Sequence, residues 1–229
     1  MSSTLLSSPT QICCKGILFD MDGILISSIG SVIRSWTKWA QMHDLDPAST
    51  IRAAHGCRVV ETVARLRPDL DPAAELAILE DLEVNDVDGL TTLPGVLNFL
   101  STLPISRWTV VTSATERLAR VRLEHAGLPL PLNLVTADSV TKGKPHPDPF
   151  LAGAALLGFA PEDCVVFEDA PSGVVAGRAA GCTVIATPFT YTLAELADAD
   201  YFIQDMTQIS AESVENGIAL SLNPLMVAS

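Results

Sequence analysis

Positive charge is scarce in this sequence. Its 14 lysine and arginine residues stand against 27 aspartate and glutamate residues, which gives a formal net charge of −13 at pH 7. A chain with this charge lacks the broad positive surface that attracts nucleic acid or an anionic membrane, so we expect neither as a partner. A site for an anionic substrate must therefore supply positive charge locally, through a metal ion or a few basic side chains.

Long apolar runs are also missing. The first fifteen residues contain no basic n-region of the kind that opens a secretion signal. The apolar run that follows is interrupted by Asp20 and Asp22. The sequence therefore predicts neither a secretion signal nor a membrane span.

Cysteines with the spacing of metal ligands are absent. The five cysteines are scattered and odd in number: Cys13, Cys14, Cys57, Cys164 and Cys182. Three of them lie in apolar runs, where small buried thiols are common. We therefore predict a reducing compartment and a cytoplasmic protein.

What is present is an apolar chain of 229 residues, with 48% apolar and 18% charged residues. This composition is typical of a compact protein with one or two domains. Strand and helix patterns alternate along most of it, which predicts an α/β fold: a parallel sheet with helices on both faces. The predicted strands are 17–19, 108–112, 134–135, 165–167, 183–186 and 201–203. The predicted helices between them are 95–103, 116–126, 148–157 and 172–180.

Four helical patterns in succession interrupt this alternation after the first strand. Apolar residues recur at helical spacing around Trp36 and Trp39, which we interpret as core residues of this region. We predict that residues 27–92 form an inserted helical cap domain, and that residues 1–26 and 93–229 form the α/β core. The four predicted helices are 29–43, one beginning at Pro47, 58–66 and 72–83.

Two aspartates follow the first predicted strand. Residues 17–19 are apolar, and Asp20 and Asp22 come directly after them without a cation nearby in the sequence. Carboxylates so close repel each other unless a metal or a proton separates their roles, and ligands bind at the carboxyl ends of parallel strands. A solvated Asp-rich turn is the alternative. An EF-hand loop needs acidic residues at its fifth and twelfth positions. Counted from Asp20 these are Ile24 and Ser31, so an EF-hand is excluded.

Three later segments add polar groups near predicted strand ends. Ser113 and the backbone N–H groups after it suit phosphate oxygens, with helix capping as the alternative. Lys144 stands in a loop rich in cations and proline, and Pro145 favours an extended backbone at Lys144; a surface loop is the alternative. Glu168 and Asp169 end another buried strand with two carboxylates. Together these segments predict a site for a hard divalent cation, Mg²⁺.

In this order, Asp20-Met-Asp-Gly, Ser113, Lys144-Pro and Glu168-Asp169 resemble the four motifs of the haloacid dehalogenase superfamily. The strings KGKPHPDPF and VVFEDAPSGVVAGRAAG are similar to those of its glycerol-1-phosphate and 2-deoxyglucose-6-phosphate phosphatases, in the subgroup resembling β-phosphoglucomutase. The resemblance implies a Rossmann-like core with an inserted helical cap. It also implies a phosphatase that hydrolyses a small phosphorylated sugar or polyol.

The resemblance assigns roles to the four acidic residues. Asp20 is the implied nucleophile, which forms a phosphoaspartate intermediate. Asp22 is the implied general acid and then the general base. An aspartate two residues after the nucleophile favours phosphoryl transfer over dehalogenation. The implied Mg²⁺ ligands are Asp20, Asp169, the backbone carbonyl of Asp22 and Glu168.

The same resemblance implies which groups bind the substrate. Ser113, the backbone N–H of Ala114 and Lys144 hold the phosphoryl group. The string His55-Gly-Cys-Arg58 is similar to a His-Gly-x-Arg segment of that subgroup. Arg58 either clamps a substrate hydroxyl or second phosphate or extends along its helix, and His55 either contacts the substrate or packs within the cap.

Two other functions remain open from the sequence. A sugar phosphomutase resembling β-phosphoglucomutase uses the same core, but such mutases carry a histidine and other basic residues on the first cap helix. Here residues 28–39 contain Arg34 and Lys38 and no histidine, which favours hydrolysis. The third class is a phosphate-sensing or scaffold protein without catalysis. We expect a small phosphorylated metabolite as the partner, and a monomer or small homo-oligomer.

Overall fold

The structure, a computed structural model, describes residues 9–225 of the chain. Residues 1–8, on which the predicted absence of a secretion signal partly rests, lie outside this range. The strands are β1 (Thr10–Cys14), β2 (Gly16–Phe19), β3 (Ile26–Ser27), β4 (Thr91–Thr92), β5 (Trp108–Val111), β6 (Leu134–Val135), β7 (Cys164–Glu168), β8 (Thr183–Ala186), β9 (Tyr201–Phe202), β10 (Ile209–Val214) and β11 (Gly217–Leu222).

The helices follow the predicted pattern closely. They are α1 (Ile29–Met42), α2 (Pro47–Ala54), α3 (Val59–Leu66), α4 (Pro72–Val84), α5 (Val96–Thr102), α6 (Glu116–His125), α7 (Asp148–Leu157) and α8 (Pro171–Ala180). Helix α3 begins one residue later than predicted, with Arg58 in extended backbone before its first turn. None of the helices within residues 9–225 has the length and apolarity needed to cross a bilayer.

Six strands form the parallel central sheet, in the order β6-β5-β2-β7-β8-β9. All four residues of β2 are buried, because Ile17 and Phe19 pack on one face of the sheet and Leu18 on the other. Helices α5 and α6 cover the first face, and α7 and α8 cover the second. The predicted α/β fold, a parallel sheet with helices on both faces, is confirmed.

A three-stranded antiparallel sheet, in the order β1-β11-β10, is not predicted from the sequence. Its strands join distant parts of the chain, since Thr10 pairs with Leu222 and Cys14 with Ile218. Leu222 and Ile218 are buried in the cluster that covers the first face of the central sheet. Such strands are hard to recognise from their own sequence, because their formation depends on pairing with segments that are distant along the chain.

Helices α1 to α4 belong to residues 27–92, which we call the helical segment. They share a buried cluster that includes the two predicted tryptophans and is composed of Trp36, Trp39, Ala54, Val63 and Leu79. The two ends of the segment pair with each other as the short antiparallel strands β3 and β4, in which Ile26 pairs with Thr92 and Ser27 with Thr91. The prediction that this segment is a separate cap domain stays a prediction.

Candidate active site

The carboxyl ends of three neighbouring strands bring together residues that are far apart in the sequence. Strands β5, β2 and β7 are adjacent and parallel, so the residues after them share one edge of the sheet. Asp20 follows β2, Ser113 comes shortly after β5, and Glu168 ends β7. The backbone N–H of Asp20 donates to the carbonyl of Phe167 at 2.9 Å, which holds the first loop beside β7.

Lys144 is buried at the centre of this edge and is 2% exposed. Its Nζ lies 2.5 Å from Oδ1 of Asp20, 2.7 Å from Oε1 of Glu168 and 3.1 Å from the carbonyl oxygen of Val111. Burial alone lowers the pKa of Lys144, but the charges of the two carboxylates and their hydrogen bonds outweigh it and raise this pKa above its ordinary value. Lys144 is therefore a permanent positive charge beside Asp20.

The surroundings of Asp20 disfavour its ionised form, apart from Lys144. Burial raises the pKa of Asp20 well above its ordinary range, Lys144 opposes that rise, and the nearby charges of Glu168 and Asp169 add to it. Carboxylate oxygens of Asp20, Glu168 and Asp169 lie within 4.8 Å of one another. Oxygen donors of this kind are the ligands that Mg²⁺ prefers, so the donor set fits the predicted metal.

Glu168 is held on both of its carboxylate oxygens. Oε1 accepts from Lys144, and Oε2 accepts from the backbone N–H groups of Asp169 at 2.8 Å and Ala170 at 2.9 Å. Gly173 is required beside it, because a Cβ at that position would stand 1.6 Å from Oε1 of Glu168. Glu168 thus orients the lysine and its own loop.

Asp169 connects this edge to the helical segment. Its Oδ2 accepts from the hydroxyl of Thr190 at 2.8 Å and lies 3.5 Å from Nε2 of His55. Burial lowers the pKa of His55, but the hydrogen bond and charge of Asp169, with the charges of Asp22 and Asp20, raise it overall above its ordinary value. His55 is therefore a neighbour of the predicted metal ligands rather than a packing residue within the segment.

Asp22 is held by residues from two parts of the chain. Its Oδ1 accepts from the hydroxyl of Ser28 at 2.5 Å and from Nη1 of Arg122 at 2.9 Å. Nη2 of the same guanidinium lies 3.5 Å from Oε1 of Glu83 on α4. A buried ion-pair chain thus runs from the predicted general acid to the helical segment.

The predicted phosphate donors are close to Asp20 but are bonded within the protein. The hydroxyl of Ser113 donates to the carbonyl of Gly56 at 3.1 Å, and the backbone N–H of Ala114 donates to the hydroxyl of Thr112 at 3.1 Å. Ser172 also donates to the carbonyl of Gly56, at 3.2 Å. The loop around Gly56 therefore rests on the sheet edge where a phosphoryl group is predicted to bind.

Arg58 contacts the loop that carries Lys144, and its predicted contact with a substrate stays a prediction. Its guanidinium donates to the carbonyls of Val140 at 2.9 Å and Thr141 at 2.7 Å and pairs with Glu61. The carboxylate of Glu61 accepts in turn from the backbone N–H of Gly143 at 3.0 Å. Arg58 and Glu61 thus fasten α3 to the loop that carries Lys144.

These groups surround a cavity of about 210 Å³ between the sheet edge and the helical segment. The predicted residues on its wall are Asp20, Asp22, His55, Arg58, Ser113, Ala114 and Asp169. Lys144 and Glu168 are buried and contact Asp20 and each other. All the predicted site residues therefore lie in one region of the molecule.

Comparison with known proteins agrees with this arrangement. Residues 17–187 match the family described as haloacid dehalogenase-like hydrolase, and every predicted site residue falls in that range. The chain belongs to the haloacid dehalogenase-like hydrolase family. The family predicted from the four motifs is confirmed, and so is the prediction that the protein is a hydrolase.

Several known proteins are similar to the chain over most of its length. Hexitol phosphatase A of Escherichia coli is 42% identical over 209 residues, which cover 89% of this chain and 97% of that protein. Glycerol-1-phosphate phosphohydrolase 2 of Saccharomyces cerevisiae is 33% identical, covering 82% of this chain and 80% of that protein. The crystal structure of β-phosphoglucomutase from Clostridium difficile superposes with a TM-score of 0.74 at 20% identity, covering 85% and 92% of the two chains. That structure supports the fold alone.

Two contacts of this haloacid dehalogenase-like site were not predicted: that of Arg122 with Asp22 and that of Glu83 with Arg122. A signal for Arg122 exists in the sequence, because it shares the buried side of α6 with Leu118 and Leu123. A charged residue on an apolar helix face indicates a buried partner. The identity of that partner, 100 residues earlier in the chain, is not readable from the pattern.

Proposed function

We propose that this protein is a Mg²⁺-dependent phosphatase that hydrolyses a small phosphorylated sugar or polyol through a phosphoaspartate intermediate. The observation that carries the proposal is the buried cluster of Lys144, Asp20, Glu168 and Asp169 at the edge of a cavity that also contains Asp22. The relatives at 42% and 33% identity are named as phosphatases of a hexitol phosphate and of glycerol 1-phosphate, which supports the same substrate class.

In this mechanism Asp20 is the nucleophile, and Lys144 counters the repulsion between it and the phosphate. Two unit charges 4 Å apart repel by about 4 kcal/mol at an effective dielectric constant near 20. Because Nζ of Lys144 is already 2.5 Å from Asp20, no reorganisation is needed to supply the opposing charge. Ser113 and the N–H of Ala114 exchange their bonds within the protein for phosphoryl oxygens.

Asp22 transfers the proton. It protonates the bridging ester oxygen as that oxygen leaves phosphorus, and it then takes a proton from the water that hydrolyses the phosphoaspartate. The hydroxyl of Ser28, which donates to Oδ1 of Asp22, supports a fixed orientation for this group.

The metal is proposed to bind Asp20, Asp169 and the backbone carbonyl of Asp22. When bound, Mg²⁺ supplies positive charge that stabilises the developing negative charge on the phosphoryl oxygens. Glu168 is proposed to act through Lys144 and the loop after β7, since both its oxygens already accept hydrogen bonds. The sequence-based expectation that Glu168 is itself a ligand stays a prediction.

The rest of the cavity wall favours a substrate whose alcohol part carries no second charged group. Apolar side chains line it from α1, including Val32 and Trp36. The acidic residues Glu80 and Glu83 also lie on this wall, and Arg58 and Arg122 are paired with carboxylates. A second phosphate or a carboxylate on the substrate would meet repulsion there, whereas the hydroxyl groups of a polyol would not.

The alternative function, which the sequence leaves open, is a sugar phosphomutase. A mutase must hold a bisphosphate, so it needs a cation free for the second phosphate. Incubation with glucose 1-phosphate and Mg²⁺ separates the two functions: free phosphate is expected here, and glucose 6-phosphate would favour the mutase.

The main test is a panel of phosphorylated polyols, hexoses and short-chain phosphates, assayed for phosphate release with and without Mg²⁺. We expect Mg²⁺-dependent release of phosphate from monophosphates whose alcohol part carries no other charged group. We expect no turnover by Asp20→Asn. An inactive wild type, indistinguishable from Asp20→Asn, would favour the scaffold function. Turnover by Asp20→Asn well above background would contradict the covalent route.

A reducing, cytoplasmic setting is also proposed. Burial raises the pKa of Cys14 to about 12 and of Cys164 to about 11, so both thiols are neutral core groups at pH 7. Cys182 is likewise buried, with a pKa of about 12. The expected monomer or small homo-oligomer stays a prediction.

A further inference from the structure

Arg122 is the buried cation whose role the proposed mechanism leaves open. It lies on α6 and is 3% exposed, alongside the buried Leu118, Ala119 and Leu123. Arg120 of the same helix is exposed and pairs with Glu116 one turn earlier. Burying a guanidinium carries a large desolvation penalty, so its contacts inside the protein need an explanation.

The closest of these contacts is with the predicted general acid. Nη1 of Arg122 and the hydroxyl of Ser28 both donate to the same oxygen, Oδ1 of Asp22, at 2.9 and 2.5 Å. Within residues 9–225, Oδ2 of Asp22 receives no side-chain hydrogen bond. Two donors on one oxygen restrict the rotation of the carboxyl group and leave the other oxygen available to the cavity.

The second contact crosses to the helical segment. Nη2 of Arg122 is 3.5 Å from Oε1 of Glu83, which is 5% exposed on α4. Nε and Nη2 have no hydrogen-bond partner in the part of the chain that the structure describes. The guanidinium is therefore held by one hydrogen bond to Asp22 and by the charge of Glu83, rather than by solvent.

We propose that Arg122 is a positioning residue that fixes Oδ1 of Asp22, with Glu83 holding the guanidinium in place, so that Oδ2 carries the proton to the substrate. This inference rests on the proposed function. As the bond between Asp20 and phosphorus forms and the ester P–O bond breaks, Oδ2–H of Asp22 gives its proton to the departing oxygen. The alcohol leaves neutral, and Asp22 is left as a carboxylate.

The test compares two esters that differ in their need for this proton. Glycerol 1-phosphate has an alkoxide leaving group that must be protonated, whereas p-nitrophenyl phosphate releases a stable phenolate. General acid catalysis contributes about 10²- to 10⁴-fold. We expect Arg122→Met to lower kcat/KM for glycerol 1-phosphate about 10- to 100-fold, and to change kcat/KM for p-nitrophenyl phosphate by less than about 3-fold. The quantity kcat/KM is used because it excludes the later hydrolysis of the phosphoaspartate.

A double mutant determines whether Arg122 acts through Asp22. In an Asp22→Asn background, Arg122→Met should change kcat/KM for glycerol 1-phosphate by less than about 3-fold, because the group that it positions is already lost. Arg120→Met is the matched control on the same helix and should leave both esters unaffected. Equal losses on both esters, no loss on either, or full additivity with Asp22→Asn would overturn the inference.

Two further variants guard against simple unfolding. Arg122→Met with Glu83→Gln removes both buried charges together, and it should fold and retain the selective loss for the alkyl ester. Arg122→Lys keeps the charge and should recover part of that loss. A wild type that releases phosphate from no ester of the sugar and polyol panel in the presence of Mg²⁺ would contradict the proposed function itself. An active wild type with an unselective Arg122→Met contradicts only the positioning role.

Discussion

Two of the buried cations at this site, Lys144 and Arg122, each stand between two carboxylates. Lys144 contacts Asp20 and Glu168 at 2.5 and 2.7 Å, and all its partners belong to the sheet edge. Arg122 contacts Asp22 at 2.9 Å from the same edge, but its second carboxylate, Glu83 at 3.5 Å, comes from the helical segment. The carboxylate partners of Lys144 thus come from the sheet edge alone, whereas those of Arg122 are shared between that edge and residues 27–92.

This difference separates two kinds of mutational effect. Changes around Lys144 should impair transfer to Asp20 for every ester, because they act on the nucleophile and the phosphoryl group. Changes around Arg122 should impair only esters whose leaving group needs a proton. The predictions below test that separation.

The largest effect is expected from Lys144→Met. It leaves Asp20 and Glu168 buried without their cation, so we expect the free energy of unfolding to fall by about 3–5 kcal/mol. Phosphate release should fall by at least about 10³-fold for alkyl and aryl esters alike. Urea unfolding and steady-state assays measure both, with exposed Lys142→Met as the control. Loss confined to the alkyl ester would remove the distinction between the two cations.

A similar loss of turnover, with less loss of stability, is expected from Asp169→Asn. Its carboxylate belongs to the predicted metal site, so the variant should be inactive and should lose the rise in Tm that Mg²⁺ gives the wild type. Binding stabilises by about 2.7 kcal/mol when the ligand is at 100 times its Kd. Asp163→Asn, which breaks only a surface pair with Lys15, is the control. If Mg²⁺ stabilised Asp169→Asn as much as the wild type, the metal would bind elsewhere.

A smaller, pH-dependent effect on the free energy of unfolding is expected from a change at Glu61. Together with Arg58, this residue joins the helical segment to the loop of Lys144. Burial raises the pKa of Glu61, but hydrogen bonds from Arg58 and the N–H of Gly143 outweigh it and bring this pKa below its ordinary value. A carboxyl group with a lowered pKa stabilises the fold above its unfolded pKa, and this stabilisation is lost as the pH falls through its folded pKa.

We therefore expect Glu61→Gln to lower the free energy of unfolding at pH 7 by about 1 kcal/mol, since Glu61 is partly exposed and screened. The difference from the wild type should shrink as the pH falls below about 4. Urea unfolding at several pH values measures it, with the exposed Glu124→Gln as the control. A difference that stays constant down to pH 3 would contradict this role of the ionised carboxylate.

The smallest effect is expected from Arg34→Met. Arg34 pairs with Asp86 at 2.6 Å inside the helical segment, but on its surface. Exposed pairs contribute little because water and salt screen them. The urea midpoint and kcat/KM for both esters should match the wild type within error. A selective loss on glycerol 1-phosphate would mean that the segment influences Asp22 by a route other than Glu83.

Much of this protein is readable from local patterns. The strands that precede Asp20 and Ser113, and the strand that ends at Glu168, are largely apolar because both faces of a parallel sheet are covered. The motifs at their carboxyl ends then predict a shared site, since parallel neighbours end at one edge. The α/β fold and the family follow from these patterns, and both are confirmed.

Other features depend on contacts between distant residues. Three features have no local signature: the pairing of β1 with β11, the contacts of Arg58 with the carbonyls of Val140 and Thr141, and the link from Arg122 to Asp22 and Glu83. Periodicity reports which side of a helix is buried, because that depends on each residue's own polarity. It does not report what a buried charge will meet, because that is set by how separate elements pack together.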